Sequence, residues 1–259
     1  MAVSQGSVAT PIDPEKAQRE HYNRIAAQYE AHYDDPSTRL YRAQFIEGPM
    51  LEGIDLEGRR VLEAMCVSGT STVGLLDRKA HVTGLDISEV CIDGFRRRFP
   101  QCDAVCASIT DTGLPAASFD AVVVVGGLHH LQPNVDPGID EIHRLLPPGG
   151  WFCFFEPHAG SVPDFFRRQW YKRDMRFARN EAAIDLEALK AKYADRFEFV
   201  REIYTGNVAF LFVYNSMLFW IPIRLKPVYT PLFLRLERMI GRLQGRRLSC
   251  SVICQWRKK

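Results

Sequence analysis

Acidic and histidine side chains follow several apolar segments of this 259-residue chain, and their types indicate what chemistry they could perform. Asp86 stands 17 residues past Gly69 at the end of an apolar run, where a carboxylate can bind the two hydroxyls of a ribose. Histidine titrates near neutral pH, so a histidine beside a reacting hydroxyl group can take its proton. The candidates for such a base are His129, His130, Glu156 and His158.

Alternating strand and helix patterns would bring these residues to one edge of a sheet. The predicted strands are 60–65, 82–86, 104–106, 121–126 and 151–156. The predicted helices around them include 15–33, 72–78, 88–99 and 136–146. The run AVVVVG is β-branched and has no polar alternation, which is typical of a strand buried on both faces. We therefore predict an α/β protein with a doubly wound, mostly parallel sheet, whose ligands bind beyond the carboxyl ends of the strands.

The region after residue 157 is less regular and carries apolar and basic segments. Two further strands are predicted at 197–204 and 249–256, and an apolar and basic insertion separates them. We divide the chain into parts that form a single overall domain: a tail and cap helix at 1–45, a ligand-binding core at 46–157, and a substrate or lid region at 158–259 that contains the insertion 205–247.

The helix that we expect in this insertion, after Thr230 and Pro231, is amphipathic and basic. Thr230 would cap it and Pro231 would occupy its first turn, a combination that is common at helix N-termini. Apolar residues such as Leu232 and Leu236 recur at helical spacing, and arginines such as Arg235 lie on the opposite face. Such a helix suits a membrane interface, although the same apolar face could pack on the sheet or close a pocket.

Positive charge is concentrated at the C-terminal end of the chain. The formal net charge of the whole sequence is +2, whereas residues 224–259 contain ten basic residues and one acid. This asymmetry predicts contact with an anionic ligand or membrane surface, with a solubilising tail as the alternative. The apolar segment 208–223 is shorter than the roughly 20 residues that span a bilayer. This long apolar segment and the low net charge make nucleic acid an unexpected partner.

The composition is that of a globular protein. Hydrophobic residues make up 46% and charged residues 25% of the chain, which excludes a disordered or fibrous protein. The seven cysteines include no CxxC pair, so we expect buried free thiols in a reducing compartment and no metal site. Residues 1–14 lack the apolar segment of a signal peptide, and the expected location is the cytoplasm, with peripheral contact at a membrane.

Four sequence motifs, in order, resemble those of the class I S-adenosylmethionine-dependent methyltransferases. They are VLEAMCVSGT at 61–70, TGLDIS at 83–88, LPAASFDAVVVVGGLHHL at 114–131 and EIHRLLPPGGWF at 141–152. The resemblance extends from about Tyr22 to Glu156, and more loosely to the end of the chain. It implies a Rossmann-like sheet of seven strands with an antiparallel final strand and a C-terminal helical insertion, and S-adenosylmethionine as the cofactor.

The same resemblance implies roles for individual residues around the cofactor. Glu63 would orient the glycine loop and face the methionine amino end, which Gly126 would also contact. Asp86 would bind the ribose hydroxyls, and Ile87 would pack on the adenine. Ser108 stands where the family often has an acid for the adenine amino group. Glu63, Asp86 and Ser108 could instead have structural roles alone.

One motif departs from the family pattern, because two of its three expected glycines are Met65 and Val67 and only Gly69 remains. Glycine permits unusual backbone dihedral angles at such positions, whereas a β-branched residue at positive φ is an outlier. Val67 is therefore the residue that we expect to weaken cofactor binding most. Either the loop has shifted, or the affinity for the cofactor is reduced, or this chain is a degenerate or altered copy.

The segment HYNRIAAQYEAHY at 21–33 resembles the family's cap helix, so Tyr22 and Tyr29 would close over the cofactor. The variable regions around the core are aromatic, apolar and basic, which predicts a small hydrophobic or lipid-like acceptor. We expect methyl transfer to a hydroxyl of this acceptor, with one of the four candidate bases removing its proton. The alternatives are transfer to nitrogen or carbon, purely structural histidines, and a non-catalytic binding or adapter protein impaired by Val67.

Overall fold

A seven-stranded sheet forms the centre of the structure, a computed structural model that describes residues 14–171, 182–219 and 221–259. The strands are β1 (Arg60–Ala64), β2 (His81–Asp86), β3 (Asp103–Cys106), β4 (Ala121–Val125), β5 (Trp151–Pro157), β6 (Phe197–Thr205) and β7 (Ser251–Lys258). Their spatial order is β3-β2-β1-β4-β5-β7-β6. β1 to β5 are parallel, whereas β7 is antiparallel to both of its neighbours. The predicted mostly parallel sheet with an antiparallel final strand is confirmed.

Helices cover both faces of this sheet and fill the insertion between β6 and β7. They are α1 (Pro14–Tyr33), α2 (Pro36–Arg42), α3 (Gly48–Met50), α4 (Thr72–Leu76), α5 (Glu89–Arg98), α6 (Asp136–Leu145), α7 (Val162–Tyr171), α8 (Leu186–Tyr193) and α9 (Lys226–Gly241). A π-helical turn, Ala43–Glu47, joins α2 to α3, and a second one, Phe210–Tyr214, lies in the insertion. The predicted C-terminal helical insertion is therefore present.

The central strand β4 is buried on both of its faces, as its unbroken apolar run predicts. Val123 lies in one hydrophobic cluster, together with Ile92 and Phe95 of α5. Val122 and Val124 lie in a second cluster on the opposite face, together with residues of α6. Because apolar burial on both sides stabilises the sheet, the strand ends that carry the candidate site are held on a rigid support.

In the parallel part of the fold, the helix boundaries predicted from local sequence agree well with the observed ones. Ser88 caps α5, where its Oγ accepts a hydrogen bond from the backbone N–H of Cys91 at 3.1 Å. The helix expected at 15–33 lies within α1, and the helix expected at 136–146 is α6. The division of the chain after residues 45 and 157 stays a prediction.

The start of α9 differs from the prediction, because this helix begins at Lys226 rather than after Thr230. Thr230 Oγ1 donates to the backbone carbonyl of Lys226 at 2.7 Å, so it bonds within the helix instead of capping it. Pro231 lies inside α9, and Pro227 is the proline in its first turn. Both prolines suit a helix start, and the local sequence around them does not distinguish the two.

The orientation of α9 also differs from the prediction. Its buried face consists of Lys226, Thr230, Leu234 and Glu237, whereas Leu232 on the expected apolar face is 58% exposed. The alternative that this apolar face packs on the sheet or closes a pocket therefore does not hold for Leu232, whereas Phe233 of the same face packs against the hydrophobic core. Within the ranges that the structure describes, no helix combines the length and the apolar character needed to cross a bilayer.

Paired charges explain why polar residues form the buried face of α9. Lys226 Nζ donates to Asp35 Oδ2 at 2.6 Å and to Thr38 Oγ1 at 2.8 Å. Glu237 Oε2 accepts from the backbone N–H of Ala209 at 2.7 Å. A buried charge is tolerated only where partners satisfy it, so the positions of these partners decide which face of α9 turns inward.

The cysteines are all free thiols, but their burial differs from the expectation. Cys106 is exposed, and Cys102 and Cys250 are partly exposed. Cys106 ends β3, which is one of the two edge strands of the sheet and pairs with a neighbour on one side. The expectation of buried thiols is therefore wrong for these positions.

Candidate active site

A cavity of about 310 Å³ lies beyond the carboxyl ends of β1 to β4, where a doubly wound sheet places its ligands. This volume is in the range of small-molecule sites. Each strand end contributes residues that the sequence analysis singled out: Met65, Val67, Asp86, Ile87, Ser108 and Gly126. Tyr22 of α1 lines the same cavity, whereas the side chain of Tyr29 lies outside the described residues.

The loop after β1 adopts the backbone conformation that glycines usually permit. The φ angle is 57° at Met65, 53° at Val67 and 84° at Gly69. The backbone N–H of Val67 donates to Asp86 Oδ2 at 2.8 Å, which fixes the turn against the end of β2. A left-handed conformation costs a residue other than glycine roughly 1–2 kcal/mol, so the loop is strained. The loop therefore keeps the expected conformation, and the alternative that it has shifted is not observed.

Gly69 supports the loop by close packing and is not among the described residues that line the cavity. A Cβ atom at this position would lie 2.5 Å from the ring of Phe99 and 2.8 Å from Thr72 Oγ1. This close approach requires glycine, and the positive φ angle favours it. Gly69, the glycine that remains in the motif, is thus the position where α5 packs too closely against the loop for any side chain.

Glu63 lies behind the loop after β1 and organises the start of α4. Its Oε1 accepts from the backbone N–H of Ser71 at 2.8 Å, and its Oε2 accepts from the Thr72 hydroxyl. Burial raises the pKa of Glu63 to about 7, although these two hydrogen bonds lower it. Glu63 is not among the described residues that line the cavity, so its contacts fit the expected orientation of the loop better than a direct contact with a ligand.

Arg42 is a cavity residue that sequence reasoning missed. It lines the cavity although it is almost fully buried. Its Nε donates to Glu47 Oε1 at 3.0 Å and its Nη2 donates to Ser71 Oγ at 2.6 Å. A guanidinium group carries five N–H donors, so Arg42 suits the carboxylate of a ligand. An arginine within α2 belongs to no motif, and only the packing of α2 beside the loop after β1 reveals it.

Asp86 combines a structural role with a place in the cavity wall. Its Oδ1 accepts from the backbone N–H of Ser88 at 2.9 Å, and its Oδ2 accepts from Val67. Burial raises the pKa of Asp86, while its hydrogen bonds with backbone N–H groups oppose that shift. Because a carboxylate has about four acceptor positions, Asp86 can accept further hydrogen bonds from the hydroxyls of a ribose.

His130 is the candidate base that the structure places in the cavity wall. Its Nε2 lies 3.1 Å from the hydroxyl of Tyr22, which also lines the cavity. Burial lowers the pKa of His130 well below 6.5, and a charge on the neighbouring His129 would lower it further. His130 is therefore neutral near pH 7, and the same burial makes it a weaker proton acceptor than an exposed histidine.

Glu156 and His129 form a buried pair beside the cavity rather than in its wall. Glu156 Oε1 accepts from the backbone N–H groups of Gly127 and Leu128, both at 2.7 Å. His129 Nδ1 lies 2.8 Å from Glu156 Oε2. Burial raises the pKa of Glu156 to about 7 and lowers that of His129 to about 3, so both groups favour their neutral forms. This geometry fixes the loop after β4, which carries His130.

The structure does not bring His158 to the other candidate bases. His158 is buried, with Nδ1 3.1 Å from the Ala159 carbonyl and Nε2 3.1 Å from the Ser249 carbonyl. It is not among the described residues that line the cavity, and its contacts join the end of β5 to the segment before β7. In the described part of the chain, no group of three or more His, Cys, Asp or Glu side chains could hold a metal ion.

Known proteins resemble this chain mainly over the first four strands and the helices between them. Residues 61–150 match a family described as a methyltransferase domain. The chain is 37% identical over 111 residues to a demethylmenaquinone methyltransferase of Clavibacter sepedonicus, covering 41% of this chain and 44% of that protein. It is 38% identical over 118 residues to a fatty-acid O-methyltransferase of Mycolicibacterium smegmatis, covering 44% of this chain and 43% of that protein. The chain thus spans less than half the length of these curated relatives.

The likeness of the fold extends over the whole chain. The structure of magnesium protoporphyrin IX methyltransferase from Synechocystis, with bound S-adenosylmethionine, matches with a TM-score of 0.63 at 12% identity. The match covers 97% of this chain and 100% of that one. At such low identity the likeness concerns the fold alone, and it confirms the Rossmann-like methyltransferase fold that the motifs implied.

Proposed function

We infer that this chain belongs to the class I S-adenosylmethionine-dependent methyltransferases and that it methylates a hydroxyl of a small hydrophobic or lipid-like acceptor. The match of residues 61–150 to a methyltransferase domain supports this assignment. The observation that carries the proposal is that the wall of one cavity contains both Asp86, which could bind a ribose, and His130, which could take a proton. A nucleoside cofactor and a reacting hydroxyl group could thus meet in one space.

The residues around the cavity fit S-adenosylmethionine. Arg42 would hold the carboxylate of its methionine part, Asp86 would accept hydrogen bonds from the ribose hydroxyls, and Ile87 would pack on the adenine. Glu63 would act indirectly, by fixing the loop after β1. When bound, S-adenosylmethionine supplies a methyl group that is already electrophilic, so the protein has to align the acceptor and receive its proton.

We assign the proton-accepting role to His130. Its Nε2 would take the proton of the acceptor hydroxyl, and the Tyr22 hydroxyl, 3.1 Å away, can relay it. Glu156 and His129 would then be positioning residues that hold the loop after β4, and His158 would be structural. Geometry favours this division, because His130 is the one of the four candidate bases that lines the cavity.

An apolar acceptor suits the apolar part of the cavity wall. Leu131, Pro133 and Pro137 line the cavity, and so does Tyr214 from the insertion. Two of the relatives described above bear names that refer to a demethylated menaquinone and to fatty acids, and both classes of molecule have long apolar chains. These observations support a lipid-like acceptor, and the hydroxyl of a hydroquinone is the kind of group from which His130 could take a proton.

An anionic membrane surface is the partner that we propose beyond the acceptor, in a protein of the cytoplasm. The outer face of α9 exposes Val228 (81%) and Leu232 (58%), and Leu243 (89%), two residues beyond the helix, is exposed as well. Arg235 and Arg242 are exposed beside them. Apolar side chains flanked by arginines are typical of helices that lie in the plane of an anionic bilayer, where lipid-like acceptors dissolve.

Binding of S-adenosylhomocysteine tests the cofactor part of this proposal. We would titrate the full chain and its Val67→Gly variant by calorimetry. Micromolar binding by the unchanged chain supports a working cofactor site. Binding by the glycine variant alone would mean that the strained loop impairs this copy. Binding by neither would contradict the proposal and favour the alternative of a non-catalytic adapter protein.

Product analysis tests the acceptor part. The full chain would be incubated with S-adenosylmethionine and with fatty acids, hydroquinones or their amine analogues, and mass spectrometry would locate the added methyl group. Methylation at oxygen, lost in His130→Ala while S-adenosylhomocysteine still binds, is the expected result. Methylation at nitrogen or carbon alone would contradict the proposed O-methylation and leave the methyltransferase assignment in place.

A further inference from the structure

A carboxylate that the sequence analysis did not single out lies in the cavity wall beside the loop after β3. It belongs to Glu15, in the first turn of α1. Ser108 Oγ and Thr110 Oγ1 donate to Glu15 Oε1 at 2.8 and 2.6 Å. These two hydroxyls lie 2.8 Å from each other, so they form a pair that holds one carboxylate oxygen. Helix α1 thus brings a carboxylate to this loop, whose own polar side chains in the cavity wall are the hydroxyls of Ser108 and Thr110.

The order of the strands determines which part of a nucleoside ligand would lie near Glu15. β2 lies between β1 and the edge strand β3. Arg42 contacts Ser71, beyond the loop after β1, on one side of Asp86. The loop after β3, which holds Glu15, lies on the other side. A ligand with its ribose at Asp86 and its carboxylate at Arg42 therefore directs its base toward Glu15.

Adenine presents an exocyclic amino group along the edge of its ring. This group donates hydrogen bonds and loses free energy if it leaves water without finding an acceptor. We propose that Glu15 accepts a hydrogen bond from the adenine amino group of the cofactor and thereby selects adenine over a base with an oxygen at that position. This inference rests on the proposed function. A carboxylate suits the role because hydrogen bonds to an ionised acceptor are stronger than neutral ones.

The same helix contacts the loops that follow two other strands. Asn23 Oδ1 accepts from Ser88 Oγ at 2.5 Å, at the start of α5, and the hydroxyl of Tyr22 lies 3.1 Å from Nε2 of His130. A hydrogen bond from adenine to Glu15 would add a contact between the cofactor and α1 itself. Cofactor binding then favours the docked position of α1, and recognition of the base is coupled to closure of the cavity.

The test compares two ligands that differ at one group. S-inosylhomocysteine carries an oxygen in place of the amino group of S-adenosylhomocysteine. Calorimetry of the full chain is expected to show a preference of about 10- to 100-fold for the adenine compound, because the carboxylate accepts from the amine and repels the oxygen. Glu15→Gln should lose most of this preference, since an amide both donates and accepts. The control is Glu20→Gln, at an exposed position of the same helix, which should keep the wild-type ratio.

The outcomes separate this inference from the proposed function. Suppose that the unchanged chain binds S-adenosylhomocysteine and that Glu15→Gln and Glu15→Ala keep its preference ratio. The assignment of Glu15 is then overturned, whereas the cofactor site stands. A loss of affinity for both ligands by the same factor would also overturn it, because it would assign Glu15 to helix docking alone. If the unchanged chain binds neither ligand, the proposed function fails and this inference fails with it. Circular dichroism of each variant would verify that it is folded.

Discussion

Val67 holds a left-handed backbone conformation although its side chain is β-branched and buried. At such a position we expect Val67→Gly to be more stable to unfolding than Val67→Ala by about 1 kcal/mol, because alanine keeps the strain and glycine releases it. Denaturant titration of the two variants measures this difference. At ordinary helical positions the order of stability is the reverse, because alanine is more stable there than glycine.

Val73 provides the matched control for this order. It is an exposed valine of the right-handed helix α4, six residues further along the chain. There we expect alanine to be more stable than glycine, by up to about 1 kcal/mol. The same order at both sites would contradict the strain that we assign to Val67.

The raised pKa of Glu156 predicts a stability that depends on pH. In the folded protein, burial raises this pKa from 4.5 to about 7. Between these values the folded state binds more protons than the unfolded state, so the free energy of unfolding should fall as the pH rises, by at most about 1.4 kcal/mol per unit. Glu156→Gln should flatten this slope, as measured by urea titrations from pH 4.5 to pH 7.

Part of the slope should survive in Glu156→Gln, because burial also raises the pKa of Glu63 to about 7. Glu198→Gln, at an exposed position of β6, serves as the control and should keep the wild-type slope. An unchanged slope in Glu156→Gln would show that Glu156 is already ionised throughout this range in the folded state.

Local sequence identifies some residues of the site and not others, for a physical reason. Asp86 and Val67 are predictable because each occupies a fixed offset from a strand end, and the chain geometry there depends on a few neighbouring residues. Arg42 and Glu15 are not predictable in this way. Their places in the cavity depend on how α1 and α2 pack against loops that lie 29 or more residues away in the sequence.

At the scale of secondary-structure elements, the buried ion pair between Lys226 and Asp35 anchors α9 to the segment between α1 and α2. The two side chains are 0% and 5% exposed. We expect Lys226→Met to destabilise the protein by roughly 3–5 kcal/mol, because it leaves the Asp35 carboxylate buried without its cation. The loss should be smaller in the double variant Asp35→Asn with Lys226→Met. Denaturant titrations of the variants give both values.

An exposed ion pair supplies the control for this prediction. Lys79 and Glu57 are 70% and 65% exposed, at an N–O distance of 2.8 Å. Lys79→Met should change the free energy of unfolding by no more than about 1 kcal/mol. An equal effect of Lys226→Met and Lys79→Met would mean that the buried pair does not anchor α9.

The sequence predicts the parallel strands better than it predicts the buried face of α9. The parallel strands follow from unbroken apolar runs, since burial on both faces leaves little freedom in the pattern. The inward face of α9 does not follow from its apolar spacing. Lys226 and Glu237 turn inward because Asp35 and the backbone N–H of Ala209 satisfy their charges, and neither partner can be identified from the sequence of the helix.

For the whole molecule, the exposed apolar face of α9 predicts binding to anionic vesicles. Val228→Asp combined with Leu232→Asp should lower the affinity for vesicles of phosphatidylcholine and phosphatidylglycerol by more than about tenfold, since each apolar side chain that enters lipid contributes roughly 1.5–3 kcal/mol. Co-sedimentation measures the bound fraction. Arg235→Gln with Arg242→Gln should weaken binding to these vesicles at low salt, by about 1 kcal/mol per arginine.

Val200→Asp serves as the control, because Val200 is an exposed valine of β6 and lies outside the insertion. This variant should bind the vesicles as the unchanged chain does. Vesicles of phosphatidylcholine alone should bind all of these proteins weakly. If the unchanged chain does not bind the anionic vesicles, the proposed membrane contact is refuted. The proposed cofactor site does not depend on this result.

Buried side-chain contacts join the two segments that flank residues 61–150. His32 Nε2 lies 2.9 Å from Ser216 Oγ, and the Tyr41 hydroxyl donates to Glu237 Oε1 at 3.3 Å. Replacing either segment by that of a relative would therefore require replacing both segments together. A chimera with only one foreign segment would leave hydrogen-bond donors and acceptors between the two segments without their partners. Exchanging both segments would keep these pairs intact.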